Sequence, residues 1–442
     1  MSLAPDLGRM TAAIARAAVP EFRGEVQRVS GGLIEASSLQ AAVGEMVRIQ
    51  GKVGDPIEAE VVGFRDAVTL LMPHGETSGI APRHKVRALG RSFEVGVGNE
   101  LLGRTLDGFG RPIDGLPSPR VVARRSVRSA PPTPLSRPHV NQPLRTGVRA
   151  IDGLATLGRG QRLGIFAGSG VGKSSLMGQI LCGTDADVTV MCLVGERGRE
   201  VRGFIDNVLG VEGQKRAVTV AATSDRSPIE RYLAPFVAVT VAEHFRDQGL
   251  DVLLVMDSVT RFAQSCREIG LAAGEPAALR GYPPSFFGTV PKLVERMGRA
   301  EVGSITGLLT ILVDGDDPNE PVSDTLRGLL DGHVHLDREL ANAGHFPAID
   351  VLSSLSRLMT ELASPRHQAL AHVLRRDLAV YKESRDLIEV GAYRSGTNPG
   401  LDAALRRRPL VEAFLRQGRD ELQDLSETIM LLEGIFGAEV PQ

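Results

Sequence analysis

Apolar and polar positions change rhythm along the 442-residue chain. In residues 1–20, Ala, Ile and Val recur after Met10 at a spacing that predicts a short helix. From residue 21 to 95 the apolar runs become short and β-prone: Gly24–Val29, Leu33–Ala36, Met46–Ile49, Glu58–Phe64 and Ala67–Leu71. Gly and charged residues separate them at regular intervals, the pattern of a small antiparallel barrel or sandwich. From Gly160 to about Ser356, strand-like runs (Arg162–Phe166, Val188–Val194, Ala217–Ala221, Val252–Met256, Ile305–Val313) alternate with helical patterns (Lys173–Leu181, Glu200–Leu209, Ile229–Asp247). Such alternation implies right-handed βαβ units around a mostly parallel sheet, an α/β class. Beyond Pro365, His367–Leu378, Tyr381–Leu387, Gly400–Leu415 and Leu422–Phe436 read as helices separated by Gly and Pro.

Residues 96–150 fit neither rhythm. Pro117, Pro119, Pro131, Pro132, Pro134, Pro138 and Pro143 interrupt regular elements, and Arg120, Arg124, Arg125, Arg128 and Arg137 make the stretch basic. A connector over the surface of the next domain is the plain reading, with a polyanion-binding segment as the alternative. The expected division is therefore 1–95, a helix and β-barrel; 96–150, a Pro/Arg-rich connector; 151–365, the α/β domain; and 366–442, a helical C-terminal domain.

Composition narrows the class. The chain is 42% hydrophobic and 24% charged, but only 4% aromatic and without Trp, so its core must be aliphatic. A net charge of −2 weighs against bulk nucleic-acid binding. Cys182, Cys192 and Cys266 are scattered without metal spacing, which suggests reduced core thiols. No apolar run approaches a membrane span, and the N-terminus lacks the pattern of a signal peptide.

The strongest chemical signal is Gly160-Gln-Arg-Leu-Gly-Ile-Phe-Ala-Gly-Ser-Gly-Val-Gly-Lys-Ser-Ser175. A strand, a glycine-rich loop and a helix start follow in the order a phosphate-binding loop requires. Gly168, Ser169, Gly170, Val171, Gly172, Lys173, Ser174 and Ser175 are the candidate nucleotide-binding residues. Backbone N–H groups and the helix N-terminus would receive phosphate oxygens. Lys173 would hold the β and γ phosphates, and the Ser174 hydroxyl would ligate Mg²⁺. Ala167 stands where the strict pattern has Gly, and it removes no amide donor. In Asp251-Val-Leu-Leu-Val-Met-Asp257, a carboxylate ends a buried strand and is placed to hold the Mg²⁺ shell through a bound water. In Val194-Gly-Glu196-Arg197, another strand ends just before a carboxylate that can orient the attacking water. A charged loop capping the next helix explains that pattern equally well.

These residues, with Arg149-Ala-Ile-Asp-Gly, Asp257-Ser-Val-Thr-Arg261-Phe, Gly281-Tyr-Pro-Pro-Ser-Phe286, Gly328-Leu-Leu-Asp-Gly-His333 and Phe346-Pro-Ala-Ile-Asp-Val-Leu-Ser-Ser-Leu-Ser-Arg357, carry a resemblance over nearly the whole chain. The sequence resembles the catalytic subunits of the rotary ATPases, and most of all the flagellar protein export ATPases of type III secretion. The resemblance implies MgATP hydrolysis by a RecA-like P-loop domain between an N-terminal β-barrel and a helical C-terminal domain. It assigns Glu196 as the catalytic carboxylate, Arg197 as its brace and Arg261 as a site arginine. It also assigns Arg357 as an arginine finger for the neighbouring subunit, and Phe346 as the ring stacked on adenine. A second adenine-side aromatic has no clear match.

The implied assembly is a homo-hexamer in the cytoplasm, peripheral at the inner face of the membrane through the export apparatus. Its implied partners are a regulatory stator-like protein at the N-terminal helix, export substrates, chaperones and the membrane export gate. A virulence (injectisome) system is the nearest alternative. A Rho-like RNA translocase would need stacking aromatics in residues 21–95, where only Phe22, Phe64 and Phe93 stand. A non-catalytic ring subunit would be expected to lack Glu196. The chain ends at Gln442 without the acidic lever segment of an ATP synthase catalytic subunit, which argues against that role. Tyr282 and Phe286 are expected in a loop, either touching a partner threaded through the ring or packing at a subunit interface. His333 and His335 share a strand face but have no third ligand at useful spacing, so no metal site is expected there.

Overall fold

The first strands close into a barrel because each has one apolar face to hide. The computed structural model describes residues 23–30, 32–37, 39–51, 55–313 and 320–440. The helix expected before residue 21 lies outside them. Six strands follow: β1 (Arg23–Ser30), β2 (Leu33–Ser37), β3 (Glu45–Gln50), β4 (Ile57–Arg65), β5 (Val68–Pro73) and β6 (Lys85–Ser92). They close antiparallel in the order β1-β2-β5-β4-β3-β6, which removes every free edge. Val26, Ile34, Ala36, Val47, Ile49, Ala59, Val61, Leu71 and Val86 fill the interior. Of the two expected architectures, a barrel is therefore the one formed. Its sixth strand, with three basic residues and one Gly among eight, has no counterpart among the expected runs. These strands belong to a unit that reaches Phe93 and includes Ala272–Gly274, and the remaining residues form a second unit.

The second unit is built on a nine-stranded sheet. Its main path runs β19 (Ile349–Ser356), β18 (Gly332–Leu336), β12 (Arg162–Ala167), β17 (Ser304–Leu312), β15 (Asp251–Asp257), β13 (Val188–Val194), β14 (Ala217–Ala222) and β8 (Thr105–Asp107). The short β16 (Gly298–Arg299) pairs beside β17. Smaller pairs join β7 (Glu94–Val97) to β9 (Ala123–Ser126) and β10 (Pro143–Leu144) to β11 (Leu157–Gly158). All main-path pairings are parallel except β18 with β19. Every residue of β13 is buried, as expected of a strand covered on both faces. Register brings the carboxyl ends of β12, β13 and β15 to one edge: Ala167 opposes Leu312, and Leu193 opposes Asp257. The three candidate loops therefore leave the sheet on the same side.

The connector is not only a surface segment. It gives the sheet its β8 edge strand, and its arginines tie it down. Arg125 pairs with Asp247 at 2.7 Å, and Arg137 donates to Met297 O at 2.8 Å. These contacts occupy two of the charges considered for a polyanion. Strands β18 and β19 also extend the sheet beyond the expected five.

In the C-terminal region, the two helices expected within residues 367–387 are one, Pro365–Glu389, because nothing between Leu378 and Tyr381 breaks it. Helices Pro399–Leu415 and Leu425–Phe436 complete the region. Leu370, Leu374, Val411, Phe414, Leu432 and Phe436 share a core with Ile151, Leu154 and Leu163. Two further expectations are corrected. Tyr282 and Phe286 are buried, Phe286 completely, and Pro284 starts the helix Pro284–Val294. They pack against each other inside the chain, with ring centres 5.0 Å apart and planes tilted by 36°. Cys182 is exposed, whereas Cys192 and Cys266 are buried thiols.

Candidate active site

The phosphate loop owes its shape to two glycines. Gly170 and Gly172 have φ of +80° and +94°, a region that side chains disfavour. Gly172 then caps the helix Lys173–Gly183 without a side-chain hydrogen bond. The first-turn N–H groups of that helix have no intrahelical acceptor and are left to the loop's concavity.

The loop opens on a cavity of about 530 Å³, within the range of roughly 300–1,000 Å³ typical of small-molecule sites. Gly168, Ser169, Gly170, Gly172, Lys173, Ser174 and Ser175 line it, together with Glu196, Arg197, Asp257 and Arg261. Residues far apart in sequence thus meet in one place. Val171 is instead buried in the core beneath the loop. Phe346 packs on the loop from outside the lining: a Cβ built on Gly172 would stand 3.4 Å from its ring. Arg357 is not brought to the cavity. It follows β19, which runs antiparallel, so it emerges near Asp331 at the opposite end of the sheet. Its backbone N–H donates to Asp331 O at 3.0 Å, and the side chain is exposed.

Lys173 Nζ is bonded to Asp257 Oδ1, which also accepts from Thr310 Oγ1 at 2.7 Å. Asp257 is 4% exposed, so these contacts compensate a buried charge. Glu196 is half-buried. Burial first, then the neighbouring Asp257 charge and the contact with Glu200, push its carboxyl up to about 7, while Lys173 opposes the rise. Arg197 lies 3.7 Å from Glu200 and is mostly solvated. Gly195 at φ +71° lets the chain pass Arg261 closely, since a Cβ there would stand 2.8 Å from Arg261 Cβ. Arg261 donates to Gln264 Oε1 at 3.1 Å.

The donor set fits a magnesium–triphosphate. The Ser174 hydroxyl and the Asp257 carboxylate are hard oxygen donors in one cavity with the Lys173 ammonium. Among the described residues, no three His, Cys, Asp or Glu side chains are grouped to hold a metal. An ion here must take most of its shell from water and phosphate, which is how Mg²⁺ behaves. Sequence reasoning missed Glu200, Ser224, Arg231 and Gln264, which also line the cavity. They sit on helices or after strands without a motif to mark them.

Comparison with known proteins agrees with this architecture. Residues 147–356 match the nucleotide-binding domain of the ATP synthase alpha/beta family, 26–90 its beta-barrel domain, and 363–434 the T3SS EscN ATPase C-terminal domain. The chain is 49% identical over 418 residues to the flagellum-specific ATP synthase of Bacillus subtilis, covering 94% of this chain and 95% of that protein. It is 47% identical over 423 residues to the type 3 secretion system ATPase of Xanthomonas euvesicatoria, covering 96% of each. The solved structure of the assembled ATPase EscN from the enteropathogenic E. coli type III secretion system superposes with a TM-score of 0.89 at 43% identity, covering 93% of this chain and 99% of that one. With its three regions matched in order, this chain is an ATPase that belongs to the ATP synthase alpha/beta family, in the group of the flagellum-specific and type III secretion ATPases.

Proposed function

We propose that this chain works as a ring ATPase that energises protein export through a flagellar type III secretion apparatus, with the cavity at Gly168–Ser175 as its catalytic site. The observation that carries the reading is the convergence of Lys173, Glu196, Asp257 and Arg261 on one cavity, with Arg357 held away from it.

In this reading the backbone of Gly168–Ser175 cradles the phosphates, and Lys173 neutralises the β and γ oxygens. Phe346 offers its face to the adenine. Ser174 and, through water, Asp257 hold Mg²⁺, which when bound offsets charge on the phosphates. Glu196 orients the water that attacks the γ phosphate in line and accepts its proton. A carboxyl poised at about 7 suits a base working near neutral pH. Arg261 braces the γ-phosphate side, and Arg197 holds the helix that begins beside Glu196. Arg357 completes a neighbour's site, so six copies in a ring make six complete sites.

The test is turnover by Glu196→Gln in protein shown to be folded. Hydrolysis near the wild-type rate would end the assignment.

The resemblance extends the proposal to partners: a stator-like regulator at the N-terminus, export substrates with their chaperones, and a membrane export gate. EscN has been solved in complex with its central stalk EscO, which supports a stalk-like partner here as well. No helix among the described residues is long and apolar enough to cross a membrane. A cytoplasmic position, peripheral at the inner membrane face through the apparatus, follows from the proposed role. The injectisome reading draws on the match of residues 363–434 and on the Xanthomonas relative. Deleting the gene and scoring motility against effector secretion separates the two.

A further inference from the structure

Thr310 is a fully buried hydroxyl on β17 that no motif marks. Strand β17 runs parallel to β15 with Leu309 opposite Met256, and this register sets Thr310 beside Asp257. Its Oγ1 stands 2.7 Å from Asp257 Oδ1 and 3.3 Å from Met256 O. A hydroxyl has one proton to give. The shorter approach, to a carboxylate, is the charge-assisted one, so the proton goes to Oδ1.

The same Oδ1 accepts from Lys173 Nζ. No described residue donates to Oδ2. Two donors therefore share one oxygen of a buried carboxylate and leave the other to the cavity. The two donors differ in permanence. Lys173 opens the helix Lys173–Gly183, but its ammonium is at the end of a long flexible stem and is claimed by phosphate once nucleotide enters. Thr310 sits in the middle of a sheet and cannot leave. A buried carboxylate that loses its only fixed donor is free to turn and is poorly compensated.

We propose that Thr310 is a positioning residue for Asp257: its hydroxyl fixes Oδ1 so that Lys173 can pass to the phosphates while Oδ2 stays directed to the magnesium shell. The proposal rests on the reading of Lys173 and Asp257 given above. It deepens that reading by naming what holds Asp257 during the exchange. The bland alternative is that Thr310 merely satisfies its own hydroxyl in a tight sheet.

The experiment measures binding of a fluorescent ATP analogue to the full chain, first in EDTA and then across a Mg²⁺ titration. Thr310→Val keeps the shape and removes the hydroxyl. We expect wild-type binding in EDTA, and about 10-fold more Mg²⁺ needed to reach the Mg²⁺-dependent affinity, a loss typical of groups that orient metal ligands. Thr310→Ser restores the wild-type curve. Superimposed wild-type and Thr310→Val curves overturn the proposal. So does an equal weakening with and without Mg²⁺, which is a packing effect. If Thr310→Val does not fold, Thr310→Ala and Thr310→Ser carry the same comparison. Asp257→Asn is the control: an unmoved Mg²⁺ curve in that variant would locate the failure in the reading of Asp257 rather than in Thr310.

Discussion

The ring of Phe346 lies against Gly172, so that a Cβ on Gly172 would stand 3.4 Å from Phe346 Cε1 and 3.5 Å from Cδ1. Phe346 is 47% exposed, so its other face is open. Gly172→Ala should therefore fail twice. It strains a residue held at φ +94°, by about 1–2 kcal/mol, and it pushes the ring off the loop. ATP affinity is expected to fall about 10-fold or more, measured by titration calorimetry. Phe346→Ala should weaken ATP but leave inorganic tripolyphosphate unchanged. Equal losses for both ligands would contradict an adenine-side role for the ring.

Arg296 and Glu243 form a buried ion pair, with Nε–Oε1 at 2.9 Å and Nη2–Oε2 at 2.7 Å. Arg296 also donates to Val127 O at 2.5 Å and Thr240 Oγ1 at 2.9 Å, which fastens the connector to the helix Pro228–Arg246. Arg296→Met leaves the Glu243 charge buried without its partner, a loss of about 3–5 kcal/mol. Glu243→Met on top of it should recover a large part, since two apolar side chains replace a broken pair. Urea unfolding of the two single variants and the double variant checks this. A double variant as damaged as the sum of the singles would refute it.

Stability toward acid should depend on Asp114. Its carboxylate accepts from Arg104 at 2.7 and 2.8 Å, and from the N–H groups of Thr105 and Leu116. The Arg104 hydrogen bond is the main reason its pKa lies far below the usual carboxylate range. A depressed folded-state pKa means that the unfolded chain takes up the proton first. The stabilisation is then complete above about pH 4 and is lost as pH falls below that value. The wild-type melting point should exceed that of Asp114→Asn by a constant amount at neutral pH, and the gap should close as the acid limb is descended. A gap that widens on acidification has the wrong sign for this account.

Legibility in the sequence followed how local each signal is. The phosphate loop was readable because Gly168–Ser175 are contiguous and lie between a strand and a helix whose patterns agree. Asp257 and Glu196 were readable as carboxylates ending apolar runs. Strand β6 was not, because its Arg, Gly and Ser residues carry little apolar periodicity and its place is set by closing the barrel. Strand β8 was hidden among prolines, since three residues pairing with β14 leave no periodic trace. The burial of Tyr282 and Phe286 could not be inferred, because Pro283 and Pro284 signal a turn and a helix start equally. Thr310 and Glu200 matter only through neighbours distant in sequence, so no spacing announces them.

Arg357 carries the prediction with the longest reach. It leaves β19 beside Gly332, whereas the phosphate loop follows Ala167, which lies opposite Leu336 at the other end of β18. Four to five strand residues separate the two ends, roughly 15 Å. The side chain thus belongs to a surface rather than to its own cavity. If that surface faces a neighbour's cavity, Arg357→Ala will bind nucleotide normally. Per-chain turnover of the wild type will rise with protein concentration, and that of Arg357→Ala will stay near the dilute value, about 10³-fold lower once assembled. Mixing decides between an interface defect and a missing finger. Glu196→Gln chains keep a sound Arg357, and Arg357→Ala chains keep a sound Glu196. In mixed rings some sites receive both, so activity should appear that neither variant shows alone. A mixture no more active than its parts, with assembly verified by light scattering, would mean that Arg357 serves no neighbour's site.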